Sequence, residues 1–166
     1  MTQQTSATEK QIFIASCVTH SPNVFFEEYK NLIIEIANLL ETKYSCKTHH
    51  SIKKEDSRLS YIEKHKTAQE CYTKCVKDIK ESKLLIAEIS FPSIGIGQEI
   101  EIASQNQIPI IVLFKDFFNR ESKKELVVSR MALGNPSIIH QIQYTSVNDA
   151  LSKLDLFIKN NPNYFQ

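Results

Sequence analysis

Glycine is scarce in this chain: three residues out of 166. A sequence with so few must place them where backbone comes close to something, because a residue without a Cβ lets amide groups approach a neighbour. No uninterrupted apolar run approaches the roughly 20 residues that a membrane-spanning helix needs. Charge of one sign is also missing: 20 basic residues face 19 acidic ones, for a formal net charge of +1. That balance argues against a dedicated nucleic-acid binder, whose surface would be strongly basic. Cysteine is limited to Cys17, Cys46, Cys71 and Cys75, and these lack the paired spacing of a zinc site. In a chain of this size without a secretion signal they are expected to be reduced thiols, not metal ligands. Residues Met1 to Lys10 are polar and lack the apolar centre of a signal peptide, so they read as a flexible tail and the cytoplasm as the default location. The remainder, 11–166, has the length of a single domain.

What is present is an alternation of strand-like and helix-like patterns. Ile12 to Ser16 reads as a short buried first strand. Phe25, Phe26, Tyr29, Leu32, Ile33, Ile36, Leu39 and Leu40 then recur at helical spacing. Tyr44 to Thr48 is a weak second strand, Ser51 to Arg58 a charged loop, and Leu59 to Ser82 a helix. Leu84 to Ile89 follows as a third strand, Gly97 to Gln107 as a helix, and Pro109 to Phe114 as a fourth strand. Asp116 to Lys124 is polar and expected to be exposed; Glu125 to Leu133 suggests a short helix and Ile138 to Tyr144 a fifth strand. Val147 to Lys159 closes the chain as an amphipathic helix. The alternation predicts a doubly wound α/β fold, Rossmann-like or flavodoxin-like, with a five-stranded, mostly parallel sheet and helices on both faces.

In such a fold ligands bind beyond the carboxyl ends of the strands. Three segments should meet on that edge: Ser16 to Thr19, His49 with His50, and Ser93 to Glu99. The last carries two of the three glycines, Gly95 and Gly97, directly after a strand and at a helix start. Free N–H groups and the helix dipole favour an anion there, and Glu99 is the first carboxylate on that helix. Adjacent strand residues face opposite ways, so at most one of His49 and His50 is expected to enter the site. Glu88, on a strand expected to be buried, reads as a structural partner.

The run Ala87-Glu88-Ile89-Ser90-Phe91-Pro92-Ser93-Ile94-Gly95-Ile96-Gly97-Gln98-Glu99 resembles the signature of 2'-deoxynucleoside 5'-phosphate N-hydrolases, within the nucleoside 2-deoxyribosyltransferase superfamily. Pro109 to Phe114 looks like the family's next strand, and Ser129-Arg130-Met131-Ala132-Leu133-Gly134 is similar to its Ser-x-Met-x-x-Gly segment, which accounts for the third glycine. The resemblance is sharp from about Leu84 to Gly134. It implies cleavage of the N-glycosidic bond of a nucleotide, with Glu99 as the nucleophile that attacks the anomeric carbon and displaces the base. Ser16, Ser93, Gly95 and Gly97 would cradle the 5'-phosphate, and His50 would lie near the base. Ser129 and Met131 would serve the site of a neighbouring subunit, since the resemblance implies a homodimer with shared sites and no cofactor.

Four positions depart from the family pattern. Ile12 stands where the family has a Tyr, Ala15 where it has a Gly, Val18 where it has an Arg, and Cys75 where it has the Asp thought to protonate the leaving base. Asp78, one helical turn beyond Cys75, is the candidate replacement. The resemblance therefore leaves three readings open: an N-hydrolase, a deoxyribosyltransferase, and a nucleotide-binding or sensing protein with little or no catalysis.

Overall fold

The computed structural model describes residues 11–17, 21, 23–52, 67–115 and 128–165. The expectations for residues 1–10, 53–66 and 116–127, and for Val18, therefore lie outside the described residues.

Five strands form one sheet in the order β2-β1-β3-β4-β5, every neighbouring pair parallel. They are β1 (Gln11–Ala15), β2 (Lys47–His50), β3 (Leu84–Glu88), β4 (Ile110–Lys115) and β5 (Ile138–Tyr144). The strands β1 and β3 are buried throughout, as strands covered on both faces must be. Their register puts Ile12 beside Leu84 and Ile14 beside Ile86. The edge strands are more exposed.

Helix α1 (Phe26–Tyr44) buries Phe26, Tyr29, Leu32, Ile33, Ile36, Ala37 and Leu40 along one stripe. It packs with α5 (Val147–Asn160), while α2 (Ala68–Lys80) packs with α3 (Ile94–Gln105). Parallel crossovers are right-handed. The chain moves one way across the sheet from β1 to β2 and the other way from β2 to β3 and β3 to β4, so α1 lies on one face and α2 and α3 on the other. The direction reverses between β1 and β3, which makes the carboxyl ends of these two strands the switch point where such folds bind ligands.

Several boundaries shift from the sequence reading, and two of the shifts bear on the site. The second strand is Lys47–His50, not Tyr44 to Thr48. Tyr44 remains helical because its hydroxyl donates to Asp155 Oδ1 at 2.6 Å and its ring leans on Phe165. The helix then stops at Ser45, which takes a left-handed conformation (φ 52°) without being glycine. This correction brings His49 and His50 inside β2, as its last two residues, where the sequence had put them after it. The second difference is at α3, which begins at Ile94, three residues before the expected Gly97.

Candidate active site

The start of α3 is set by Ser93. Its backbone is extended, and its Oγ accepts the N–H of Ile96 at 3.3 Å, an N-cap. The N–H of Gly97 goes to the carbonyl of Ser93 at 3.2 Å. The N–H groups of Ile94 and Gly95 are then among those that the helix itself cannot pair. Both glycines are helical, and no glycine has a positive φ. The expected turn ahead of the helix is therefore its first turn, because the Ser93 cap lets the helix begin before the glycines. A Cβ added at Gly97 would meet nothing within 4 Å, and one at Gly95 would meet only Ser93 Oγ at 3.7 Å. Nothing within the described chain requires glycine at either position, although each costs a helix about 0.5–1 kcal/mol relative to alanine.

Glu99 lies in the second turn of α3 and reaches across to α2. The Cys75 thiol donates to its Oε1 at 3.2 Å. Burial pushes the Glu99 carboxyl up to about 7, opposed by the Cys75 hydrogen bond. Burial first, and then the charge of Glu99, push the Cys75 thiol far above its ordinary range. The pair is thus a carboxyl poised near neutrality, held by a thiol that keeps its proton. Cys75 can orient Glu99 but is poorly suited to giving a proton to a leaving group.

Asp78 goes elsewhere. Its Oδ2 accepts from Lys74 and stands 3.5 Å from His49 Nδ1, and its backbone carbonyl accepts from Gln11 Nε2 at 3.3 Å. The structure thus brings Glu99 to Cys75, and Asp78 to His49 and Lys74. His49 Nε2 and His50 Nδ1 are buried without a hydrogen-bond partner. On the strand end that faces α3 across the switch point, Ser16 Oγ is also buried and unpartnered.

Ser129 caps the short helix α4 (Arg130–Leu133) by accepting the N–H of Ala132 at 3.3 Å. Met131 on that helix is 90 % exposed, Ile94 is 82 % exposed and Tyr72 on α2 is 56 % exposed. Together with Gly97 they border an open cleft of about 1200 Å³, and Gly97 and Ser129 also border a second one of about 600 Å³ beside Ser93. Gly97 and Ser129 thus border both clefts, with Met131 on the first and Ser93 on the second.

The sequence reading placed Glu88 as a structural partner but gave no sign of its partners. Its Oε1 accepts from Ser90 and from the Tyr144 hydroxyl. Tyr144 and Tyr29 sit at positions that apolar periodicity had already explained, so only the carboxylate in an otherwise apolar strand pointed here. Among the described residues no group of three or more His, Cys, Asp or Glu side chains gathers to hold a metal, and none of the four cysteines forms a disulfide. No helix among the described residues is long and apolar enough to cross a membrane.

No protein-family model matches the chain. Among curated proteins, one from Methanosarcina mazei named "Putative 2'-deoxynucleoside 5'-phosphate N-hydrolase 1" is 31 % identical over 99 residues, 60 % of this chain and 56 % of its own length. A protein of the same name from Syntrophotalea carbinolica is 41 % identical over 71 residues, 43 % of this chain and 45 % of its own. The chain thus spans about half the length of the curated relatives it matches. Among solved structures, a CMP N-glycosidase from Clostridium botulinum superposes with a TM-score of 0.61 at 25 % identity, over 89 % of this chain and 99 % of that one. A 2-deoxyribosyltransferase from Leishmania mexicana shares the fold, with a TM-score of 0.51 at 13 % identity over 92 % of this chain and 98 % of that one. By these matches and by its five-stranded parallel sheet, the chain is similar to N-hydrolases and N-glycosidases of nucleotides and shares their α/β fold.

Proposed function

We propose that this chain hydrolyses the N-glycosidic bond of nucleoside 5'-monophosphates, releasing free base and a sugar 5-phosphate. The observation that carries the reading is Glu99: a desolvated carboxyl, raised to about 7, on the helix that follows the switch-point strand and directly behind the Ser93 cap. In the first step a Glu99 carboxylate oxygen forms a bond to the anomeric carbon. The bond to the base nitrogen breaks, its electron pair leaving with the base, which takes up a proton. In the second step water cleaves the glycosyl ester and Glu99 is regenerated as the carboxylate. Burial suits this role, since a poorly hydrated carboxylate interacts more strongly with the positive charge developing on the sugar.

The phosphate is assigned to the space between Ser16 and the α3 start. The buried, unpartnered Ser16 hydroxyl and the unpaired N–H groups of Ile94 and Gly95 support this assignment. His50, on the adjoining strand end, is assigned to the base. The names of the curated relatives and of the CMP N-glycosidase support the reaction class, and they leave both ribose and deoxyribose substrates in the test. A homodimer is part of the proposal: Met131, Ile94 and Tyr72 form an apolar rim beside Gly97 that a second copy would cover. The location proposed for this activity is the cytoplasm, where nucleoside monophosphates and reduced thiols coexist.

One observation favours a second reading, a nucleotide-binding protein with weak turnover. Asp78 is engaged by His49 and Lys74, and Cys75 holds its proton too tightly to donate it. General acid help is typically worth a factor of about 10² to 10⁴. The test is release of free base from a panel of ribo- and deoxyribonucleoside 5'-monophosphates, with Glu99→Ala alongside. Release that depends on Glu99 supports the hydrolase. Binding by thermal shift with no release from any nucleotide supports the second reading.

A further inference from the structure

Glu88 is 0 % exposed, at the carboxyl end of β3, in a sheet that is otherwise apolar at that level. Burying a carboxylate costs several kcal/mol, and here burial raises its carboxyl to about 7. What it receives in return is a set of hydrogen bonds that run to four places. Its Oε1 accepts the Ser90 hydroxyl, the Ser90 N–H at 3.3 Å and the Tyr144 hydroxyl at 3.0 Å. Ser90 Oγ accepts the N–H of Lys115 at 2.7 Å. The backbone carbonyl of Glu88 accepts from the Tyr29 hydroxyl at 3.4 Å, and the Tyr29 oxygen accepts the N–H of Cys17 at 2.5 Å. The Tyr29 ring also leans on Phe91, 5.8 Å between centroids.

Two of these places are the segments after β1 and after β3. Cys17 adjoins Ser16, the hydroxyl that has no partner, and Ser90 and Phe91 lead straight to Ser93, the cap of α3. The other two, Lys115 and Tyr144, are the last residues of β4 and β5. They belong to rigid sheet, so they anchor the hub. The Cys17 thiol, 3.8 Å from the Pro92 carbonyl, also spans the switch point between Cys17 and the β3 segment. A leucine-sized side chain at position 88 would fill the space without the desolvation penalty and would keep the backbone carbonyl to which Tyr29 donates, but it would lose the bonds to Ser90 and Tyr144 that hold the β3 end of the tie.

We propose that Glu88 is a positioning residue: through Ser90 on one side and Tyr29 on the other, it fixes the spacing between the two halves of the phosphate cradle, Ser16–Cys17 and Ser93–Gly95. The proposal rests on reading that edge as the nucleotide phosphate site. Glu88 itself touches no substrate; it acts by setting where the cradle hydroxyls and N–H groups stand when the phosphate arrives. Loss of the tie should therefore be felt by a ligand carrying the 5'-phosphate and hardly at all by one without it.

The test uses Tyr29→Phe, which removes one hydroxyl and keeps the ring, and Glu88→Gln, which keeps the shape, each in a Glu99→Ala background that prevents turnover. Calorimetry is run with a 5'-monophosphate that binds the parent, together with its unphosphorylated nucleoside. Amide hydrogen exchange is followed at Cys17 and Ser90 in the ligand-free proteins. The expected result is a loss of about tenfold in monophosphate affinity, the size of one hydrogen bond's worth of positioning. Nucleoside affinity should stay within about twofold, and exchange should be faster in both segments from either substitution. Equal losses for both ligands, unchanged monophosphate affinity, or faster exchange confined to the substituted segment would overturn the proposal. A fall in melting temperature with the ligand preference intact would mark Glu88 as structural only, and that overturns it too. If the parent binds neither ligand, the functional reading fails and takes the phosphate role of Glu88 with it. The exchange data still report whether the tie exists, so the two failures are told apart.

Discussion

Replacing Cys75 by alanine or by serine should move the ionisation of Glu99 in opposite directions. Glu99 sits near 7 because burial lifts it from an ordinary 4.5, against the pull of the Cys75 hydrogen bond. The net lift corresponds to roughly 3.5 kcal/mol, at about 1.4 kcal/mol per pH unit, and the lost solvation exceeds it by what the hydrogen bond returns. The thiol, a weak donor 3.2 Å from Oε1, is worth about 1 kcal/mol to the charged form, or about 0.7 of a pH unit. Alanine removes that donor and should raise the carboxyl by about that much; serine offers a stronger O–H donor and should lower it by a comparable amount. At pH 7 the carboxyl is about half ionised. With alanine it becomes about one-sixth ionised, a roughly threefold loss of nucleophile, whereas serine gains less than twofold. A single rate at pH 7 cannot separate these cases, so the assay is base release from pH 5 to 9, fitting the acid limb of kcat/KM. A carbon-13 titration of the Glu99 carboxyl supplies the same order without turnover. The predicted order of midpoints is alanine, then cysteine, then serine. A wild-type limb near 4.5, or a limb that ignores position 75, would refute both the burial of Glu99 and its tie to Cys75.

Gly97→Ala should stabilise the free protomer by about 0.5–1 kcal/mol, because the site is helical and a Cβ meets nothing, yet it should impair nucleotide binding or dimer formation; a stabilised variant that binds and assembles like the parent would show that nothing approaches Gly97. Stability should fall as pH rises from about 4.5 to 7 and level off above. In that window the folded chain keeps protons on Glu88 and Glu99 that the unfolded chain has released. Melting temperatures across this range test the slope, which Glu99→Gln should reduce while raising the melting temperature at pH 8; an unchanged slope counts against the shifted carboxyl. Asp155, held low by Lys159, Lys43 and Tyr44, contributes below that window, and His140, pushed down by burial, opposes the trend only weakly. Met131→Asp should leave the fold intact, since Met131 is 90 % exposed, and should convert a dimer to a monomer by sedimentation. A dimer that survives the substitution would contradict the proposed interface.

The order of strands and helices was legible because the buried strands are unbroken apolar runs and the helices carry apolar residues at helical spacing. Boundaries were less so. Ser45 ends α1 in a left-handed conformation that usually announces itself as glycine, and Tyr44 gave no sign that Asp155 and Phe165, far along the chain, would hold it in the helix. At α3 the glycines suggest a start at Gly97, whereas Ser93, a serine ahead of an apolar helix and so a candidate cap, marks the true start. The T-x-x-E pattern at Thr67 and Glu70 is another, and it marks where α2 begins, its Oγ accepting the Glu70 N–H. In the site, the family-like motif and the helix spacing led to Glu99 and Cys75. The partner of Asp78 was not readable, because helical spacing puts Asp78 near Cys75 but says nothing of His49, which arrives from β2. The hub around Glu88 was hidden for the same reason: its partners come from α1, β4, β5 and two loops, and only the fold brings them together.

The central claim is that Glu99 is the nucleophile in glycosidic cleavage, and a covalent intermediate tests it most directly. The enzyme would be mixed with whichever nucleoside 5'-monophosphate it turns over, quenched in acid within milliseconds, digested and examined by mass spectrometry. The account predicts that the peptide containing Glu99 gains the mass of the sugar phosphate, and that no adduct forms in Glu99→Ala. Base release without any adduct on Glu99, or an adduct on another residue, would contradict it.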